Sequence, residues 1–317
     1  MGTTWSVRVA GPWQDAWPAG PGKPSPDAAG AALTQALQAA LDDIVGQMSN
    51  WESDSLISQL NRAPTGWYQV PEAFFTVLSC ALDVAEATQG AYDPTVGEMV
   101  ALWGFGPYGQ PGKLPDARQL QAARERAGWH RLQLNPEHRG VWQLGGITLD
   151  FSSIAKGYGV DAMAQTLENH GIEHYMVELG GELRAKGLNA EGQPWRLAVE
   201  APGAENPQEG LPIALDGQAI ATSGDYRRFF TVDGRRYAHT LDPRSGWALQ
   251  NDLASVSVAH RQCMAADALS TALLCMGLRD GLAYAQAQGI AALFMVRHGD
   301  DVAVEWTPAF RLLAHPG

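Results

Sequence analysis

The chain has 317 residues, enough for a sizeable core in one large domain or two closely joined subdomains. Hydrophobic residues make up 45% and charged residues 18%, while 34 acidic against 22 basic side chains give a net charge of −12. That balance argues against a nucleic-acid or anionic-membrane binder, which needs clustered Lys and Arg, and it means that any phosphate ligand requires a local cation.

The sequence opens as Met1-Gly-Thr-Thr-Trp-Ser-Val-Arg-Val, and residues 3–10 read as a strand, followed by a Pro/Gly/Trp-rich loop over 11–26. Leu33, Leu37, Leu41, Ile44, Val45 and Met48 recur at helical spacing and predict a helix over 27–48. A second helix is expected from Pro71 to Thr88, with proline in its first turn and Gly90 just past its end. Residues 116–127 read as a helix, and 129–150 as a hairpin around Asn135-Pro136-Glu137-His138-Arg139-Gly140. A helix should follow Asp150 and reach His170, then a strand over 174–180. Short strands fill 195–260, broken by the Pro/Gly-rich segment 201–210. Helices at about 264–276 and 279–288 and a terminal strand pair complete the chain. The order is α+β, without the regular βαβ rhythm of a doubly wound sheet. Cys80, Cys263 and Cys275 have no metal-ligand spacing and read as buried thiols, with one disulfide left open. No apolar run reaches the roughly 18 residues of a membrane span, and no secretory start precedes the first strand. The chain is therefore expected to be cytoplasmic or to have had an export segment removed.

Three segments concentrate chemistry. Asp150-Phe-Ser-Ser153-Ile-Ala-Lys156-Gly-Tyr-Gly-Val-Asp161 places one lysine among small residues at a helix start, where it meets a phosphate or is simply a solvated helix side chain. Asp267 and Thr271 lie four apart on one helix face with Ser270 nearby, a carboxylate-and-hydroxyl set that suits Mg²⁺ but that by itself reads first as local capping. His239-Thr-Leu-Asp242-Pro243-Arg244-Ser245-Gly246 follows a strand into a turn, making His239 a general base, an outer partner of a metal, or a structural ring. Asp242 is a weaker candidate there. Thr222-Ser223-Gly224 allows close backbone approach to a ligand. By contrast, Leu179-Gly180-Gly181-Glu182-Leu183 lacks the third glycine and the helix of a dinucleotide fingerprint, so its glycines are assigned to tight turns.

In this order the segments resemble the FAD:protein FMN transferase family, also called ApbE. The matching motifs include Met1-Gly2-Thr3, Met48-Ser-Asn-Trp51 with Asp54-Ser55, Gly90-Ala-Tyr-Asp93-Pro-Thr-Val-Gly97 and Leu102-Trp-Gly-Phe-Gly106. They continue through Asp150–Asp161, Glu178-Leu-Gly-Gly181, Thr222–Gly224, His239–Gly246 and Ala266–Thr271. The resemblance implies one α+β unit spanning 1–317, with two interlocked lobes and FAD in the cleft between them. It implies FAD contacts from Met1, Trp51, Ala91, Tyr92, Asp93, Asp150, Lys156 and Leu241. It implies Mg²⁺ bound by Ser153, Asp267 and Thr271, with Ser270 where some members carry a second aspartate. Trp51 stands where a tyrosine is usual and keeps an aromatic face for the flavin.

The implied reaction moves the FMN half of FAD to a threonine or serine hydroxyl of an acceptor protein, with His239 as the group that orients or deprotonates the hydroxyl and AMP as the leaving product. The implied acceptor carries a Ser/Thr-Gly-Ala-Thr type motif and belongs to a membrane redox complex, with the enzyme periplasmic or associated with the inner membrane. Two other readings compete: an FAD pyrophosphatase using the same metal site, and a non-enzymatic flavin carrier.

Overall fold

In a computed structural model of the chain, residues 3–11, 26–107, 109–110, 112–200, 210–225, 228–299 and 301–314 are described. Helix α1 (Pro26–Met48) buries the face formed by Leu33, Leu37, Leu41, Ile44 and Met48, as its periodicity predicts. Strand β1 (Trp5–Val9) precedes it. The short helix α2 (Leu56–Asn61) is held at its start by Ser55, whose hydroxyl accepts the Ser58 N–H at 3.2 Å. Strand β2 (Gly66–Gln69) leads into α3 (Glu72–Ala87), whose Phe74, Val77, Leu78 and Ala81 are buried.

Helices α4 (Gly97–Leu102) and α5 (Ala117–Arg126) follow, then the hairpin of β3 (Gln133–Asn135) and β4 (Gly140–Gln143). Helix α6 spans Ala155–Asn169 and starts later than the sequence suggests. The Asp150 carboxylate accepts the Ser152 N–H at 2.7 Å, and the Phe151 carbonyl accepts the N–H groups of Ile154 and Ala155. These bonds shape residues 151–154 as turns rather than as helix. The short elements α2, β2 and α4 escape prediction because four to six residues carry too little periodicity.

A seven-stranded, wholly antiparallel sheet dominates the remainder. Its strands are β1, β5 (Tyr175–Leu179), β6 (Glu182–Lys186), β9 (Gln218–Gly224), β12 (Leu253–His260), β13 (Ala291–His298) and β14 (Asp301–Trp306), in that spatial order. Two-stranded ribbons of β7 (Trp195–Val199) with β8 (Leu211–Leu215), and β10 (Phe229–Val232) with β11 (Arg235–Ala238), lie outside it. The expected terminal strand pair is β13–β14, extended by an unpredicted α8 (Pro308–Ala314). The two expected C-terminal helices are the two halves of α7 (Cys263–Ala287), separated at Gly277, where the backbone leaves the helical conformation with φ of +78°.

Helices α6 and α7 cover one face of the sheet, with α1 outside α6. The β7–β8 ribbon and α8 cover the other. A second layer of α2, α3 and the β2-β4-β3 sheet packs against the ends of α1, α6 and α7. The α+β expectation is met, and the three cysteines are free thiols, with Cys263 and Cys275 buried. No helix among the described residues is long and apolar enough to cross a membrane.

Helices α6 and α7 are locked by reciprocal bonds at their starts. The Asp161 carboxylate of α6 accepts the Cys263 and Met264 N–H groups, both at 3.0 Å, and the Arg184 guanidinium at 2.8 Å. In return Asp267 of α7 accepts the Gly157 N–H of α6 at 3.1 Å. Each acid therefore satisfies free amides at the other helix's positive end. The approach requires glycine at 157, where an added Cβ would lie 2.4 Å from the Cys263 carbonyl oxygen. Gly157→Ala should therefore cost about 2 kcal/mol or more, as overpacking against fixed backbone does. Gly30→Ala, in open space on α1, should be neutral or gain up to about 1 kcal/mol of helix propensity. Urea unfolding midpoints of the two variants test the contrast.

Candidate functional site

The layers leave a cavity of about 610 Å³ between the β5–β6 turn, the starts of α6 and α7, strand β9, the 91–93 turn and the chain just after β11. Trp51, Ala91, Tyr92, Asp93, Asp150, Ser153, Lys156, His239, Leu241, Asp267 and Thr271 all line it. Met1 lies outside the described residues. Ser270 is fully buried and stands behind the wall rather than in it. Because residues from 51 to 271 converge on one volume, their meeting is a product of the fold.

The β5–β6 turn is made by Gly180 and Gly181, with φ of +61° and +103°. These glycines serve a two-residue hairpin, as their spacing suggests, and carry the cavity wall through it. The loop before α6 is fixed from the opposite layer: Asn61 accepts the Leu149 N–H at 2.7 Å and donates to its carbonyl at 2.9 Å, and Asn50 donates to the same carbonyl at 2.8 Å.

The charged centre of the cavity joins Asp267, Lys156 and Glu182. The Lys156 ammonium donates to Glu182 Oε1. Burial opposes the lysine's charge, yet the carboxylates of Asp267 and Glu182 outweigh it and hold its pKa above the ordinary value. Burial raises the Asp267 carboxyl, with Lys156 and the Gly157 amide pulling the other way. Burial and the Asp267 charge push Glu182 up to about 7. Its other oxygen, Oε2, is buried without a hydrogen-bond partner. Sequence reasoning passed over Glu182. Its signal was an acidic residue at an inward position of β6, which a soluble protein buries only against a cation.

Hydroxyls gather beside Asp267. Ser223 Oγ lies 2.8 Å from Ser270 Oγ and 2.7 Å from Thr271 Oγ1, and Ser270 donates to the Asp267 carbonyl at 2.8 Å. Ser223 lines the cavity and belongs to a segment read only for its small size. Asp267 lies in the second turn of α7 rather than at its start, so a capping role within its own helix is ruled out.

His239 follows β11, half-buried, with Nδ1 at 3.1 Å from the Arg228 carbonyl and its ring edge-on to Phe105. A carbonyl only accepts, so Nδ1 carries the hydrogen and Nε2 presents a lone pair. Burial, then the nearby Arg228 charge, lowers the ring's pKa to about 4. The imidazole is thus neutral near pH 7, below the near-neutral poise usual for this residue type. Arg228 also lines the cavity and had no sequence signal beyond its charge. Asp242 does not line it: its carboxylate accepts from Arg244 N and Nε at 3.0 and 2.8 Å and closes the turn.

Asp93 divides its work. Both carboxylate oxygens are engaged, Oδ1 with Thr95 N and Oγ1 at 2.8 and 2.6 Å and Oδ2 with Trp129 N at 3.0 Å, so it shapes the loop as well as the wall. Tyr92 is buried, and its hydroxyl has no hydrogen-bond partner of good geometry even though Ser153 is close enough to moderate the pKa that burial raises. Trp51 stands at the rim, 57% exposed, offering an open aromatic face.

Among the described residues no three His, Cys, Asp or Glu side chains converge as a metal cage. One buried carboxylate with hydroxyls around it is the donor set of a hard cation that takes the rest of its shell from water and ligand phosphate, which fits Mg²⁺.

Residues 1–294 match the model of the ApbE family. An FAD:protein FMN transferase of Vibrio cholerae is 40% identical over 271 residues, 84% of this chain and 80% of that protein. One from Klebsiella pneumoniae is 34% identical over 316 residues, 98% and 86% of the two chains. The apo crystal structure of the Pseudomonas stutzeri flavinyl transferase ApbE superposes with a TM-score of 0.87 at 36% identity, covering 99% of this chain and 94% of that one. Matched along almost its whole length in sequence and fold, this chain belongs to the ApbE family.

Proposed function

We propose that this protein is a Mg²⁺-dependent FAD:protein FMN transferase, which moves FMN from FAD to a threonine or serine hydroxyl of an acceptor protein and releases AMP. One observation carries the reading: Asp267 and Thr271 of α7, Lys156 of α6 and His239 after β11, from three separate stretches of chain, face a single cavity large enough for an extended ligand. The names of the family relatives support flavin transfer.

A magnesium ion held by Asp267, Thr271 and Ser153 would supply neutralising charge at the FAD pyrophosphate. Lys156 is kept protonated by its two carboxylates and adds fixed positive charge in a molecule of net charge −12. Glu182 holds that ammonium in place through Oε1. Trp51 and the apolar walls from Val96, Val100, Phe105 and Leu241 suit a flavin ring and exclude water.

His239 is proposed as the proton acceptor for the incoming hydroxyl. Its Nδ1–H bond to the Arg228 carbonyl fixes the tautomer and frees Nε2 for that task. With its pKa near 4 the ring is always in the accepting form at neutral pH but is a weak base. The proton therefore moves as the P–O bond forms, not before it. By resemblance to the family, the acceptor carries a Ser/Thr-Gly-Ala-Thr type motif in a subunit of a membrane redox complex, on the periplasmic side.

Asp267→Asn keeps an acceptor for the Gly157 amide while removing charge. It should lower Mg²⁺-dependent FMN transfer at least about a hundredfold with a urea midpoint near wild type. Mass spectrometry of an acceptor incubated with FAD and Mg²⁺ reads the transfer, and undiminished activity would remove Asp267 from the metal site. His239→Ala should bind FAD normally, by flavin fluorescence, yet transfer FMN about a hundredfold more slowly. Rapid AMP release by the wild type without acceptor would favour the hydrolytic alternative. In NMR titrations the His239 ring should take up its proton with a midpoint near pH 4. A midpoint near 6.5 would mean that the site does not desolvate it.

A further inference from the structure

We infer that Ser223 and Ser270 are positioning residues that set the polarity of the Thr271 hydroxyl, so that Thr271 presents lone pairs rather than a hydrogen to the cavity. The inference rests on the reading of Asp267 and Thr271 as parts of a Mg²⁺ site.

A hydroxyl has one hydrogen to donate and two lone pairs, and its direction is free unless a neighbour commits it. Here the commitment starts from a group that has no choice. The Asp267 carbonyl is acceptor-only, and Ser270 Oγ lies 2.8 Å from it, three residues along α7. The single Ser270 hydrogen is therefore spent inside the helix. Ser270 is fully buried, so no water competes for it.

The contact between Ser270 Oγ and Ser223 Oγ at 2.8 Å must then run from Ser223 to Ser270. That spends the Ser223 hydrogen, and its 2.7 Å contact with Thr271 must run from Thr271 to Ser223. The three bonds form one directed chain, from Thr271 through Ser223 and Ser270 to the Asp267 backbone, and each bond polarises the next.

The consequence falls on the last free oxygen. Thr271 is only partly buried and lines the cavity, whereas its hydrogen is drawn back towards β9. Its lone pairs remain for a ligand. A cation needs an oxygen donor that does not aim a hydrogen at it, and this chain supplies one in advance. The same chain gives Ser270 a role at one remove. A serine at this position cannot reach the cavity, but it anchors the series that orients Thr271.

The test titrates Mn²⁺, as a probe for Mg²⁺, into protein held in excess over FAD, with free Mn²⁺ read by electron paramagnetic resonance and no acceptor present. Ser223→Ala should weaken Mn²⁺ binding about tenfold, the usual lower range for a lost outer partner of a ligand. Ser270→Ala breaks the chain one link further back and should weaken it in the same direction. In a Thr271→Ala background, which has already lost the ligand, Ser223→Ala should add nothing. A Ser223→Ala protein with unchanged affinity, or one with the same loss whether or not Thr271 is present, would overturn the relay. Unchanged affinity in both Asp267→Ala and Thr271→Ala would overturn the metal site itself and the relay with it.

Discussion

The exchange of carboxylates between α6 and α7 is the constraint on which the cavity depends. Asp161 satisfies the opening amides of α7, and Asp267 satisfies an amide in the first turn of α6. Neither bond forms unless the two helix starts meet side by side, and Gly157 permits that approach by having no Cβ to strike Cys263. The arrangement places Lys156, one residue before Gly157, beside Asp267. It also brings Thr271, one turn further along α7, to the same wall. The contacts that pack the two helices are thus also those that bring this part of the site together.

The electrostatics follow from that geometry. Two carboxylates and one ammonium share a desolvated pocket, and burial is the largest influence on each of them. Removing one carboxylate's charge by protonation would relieve the like-charge pressure, and Glu182 drifts towards that state near pH 7. A bound cation would relieve it in another way, by pairing with Asp267. The proposed reaction at a pyrophosphate would require an acidic protein to concentrate positive charge at one place, and Lys156 supplies part of that charge here.

Away from this centre the site is set by neutral contacts. Asn50 and Asn61 tie the Asp150 loop to the second layer, and Trp103 donates to the Gly246 carbonyl at 2.9 Å, fixing the turn that follows His239. His239 gains its tautomer from a backbone carbonyl and its low basicity from burial. These are long-range bonds, and they give the loops the rigidity that a site needs.

The sequence by itself determined the long amphipathic elements, because a buried stripe such as Leu33–Leu37–Leu41 repeats with the helical period and needs no partner to be recognised. It also held the ordered motifs that carry the family resemblance, since residue identity is local information. It did not contain α2, β2 or α4, which are too short to show a period. It did not reveal Glu182, whose role appears only when Lys156, 26 residues earlier in the chain, is folded against it. It placed Ser270 in the metal site on pattern alone, whereas the tertiary structure turns that side chain inward to the Asp267 carbonyl and gives the cavity face to Ser223 and Thr271. Direction and burial decide what a hydroxyl or a carboxylate does, and both are fixed by neighbours distant in sequence that only the packed chain brings within hydrogen-bonding range.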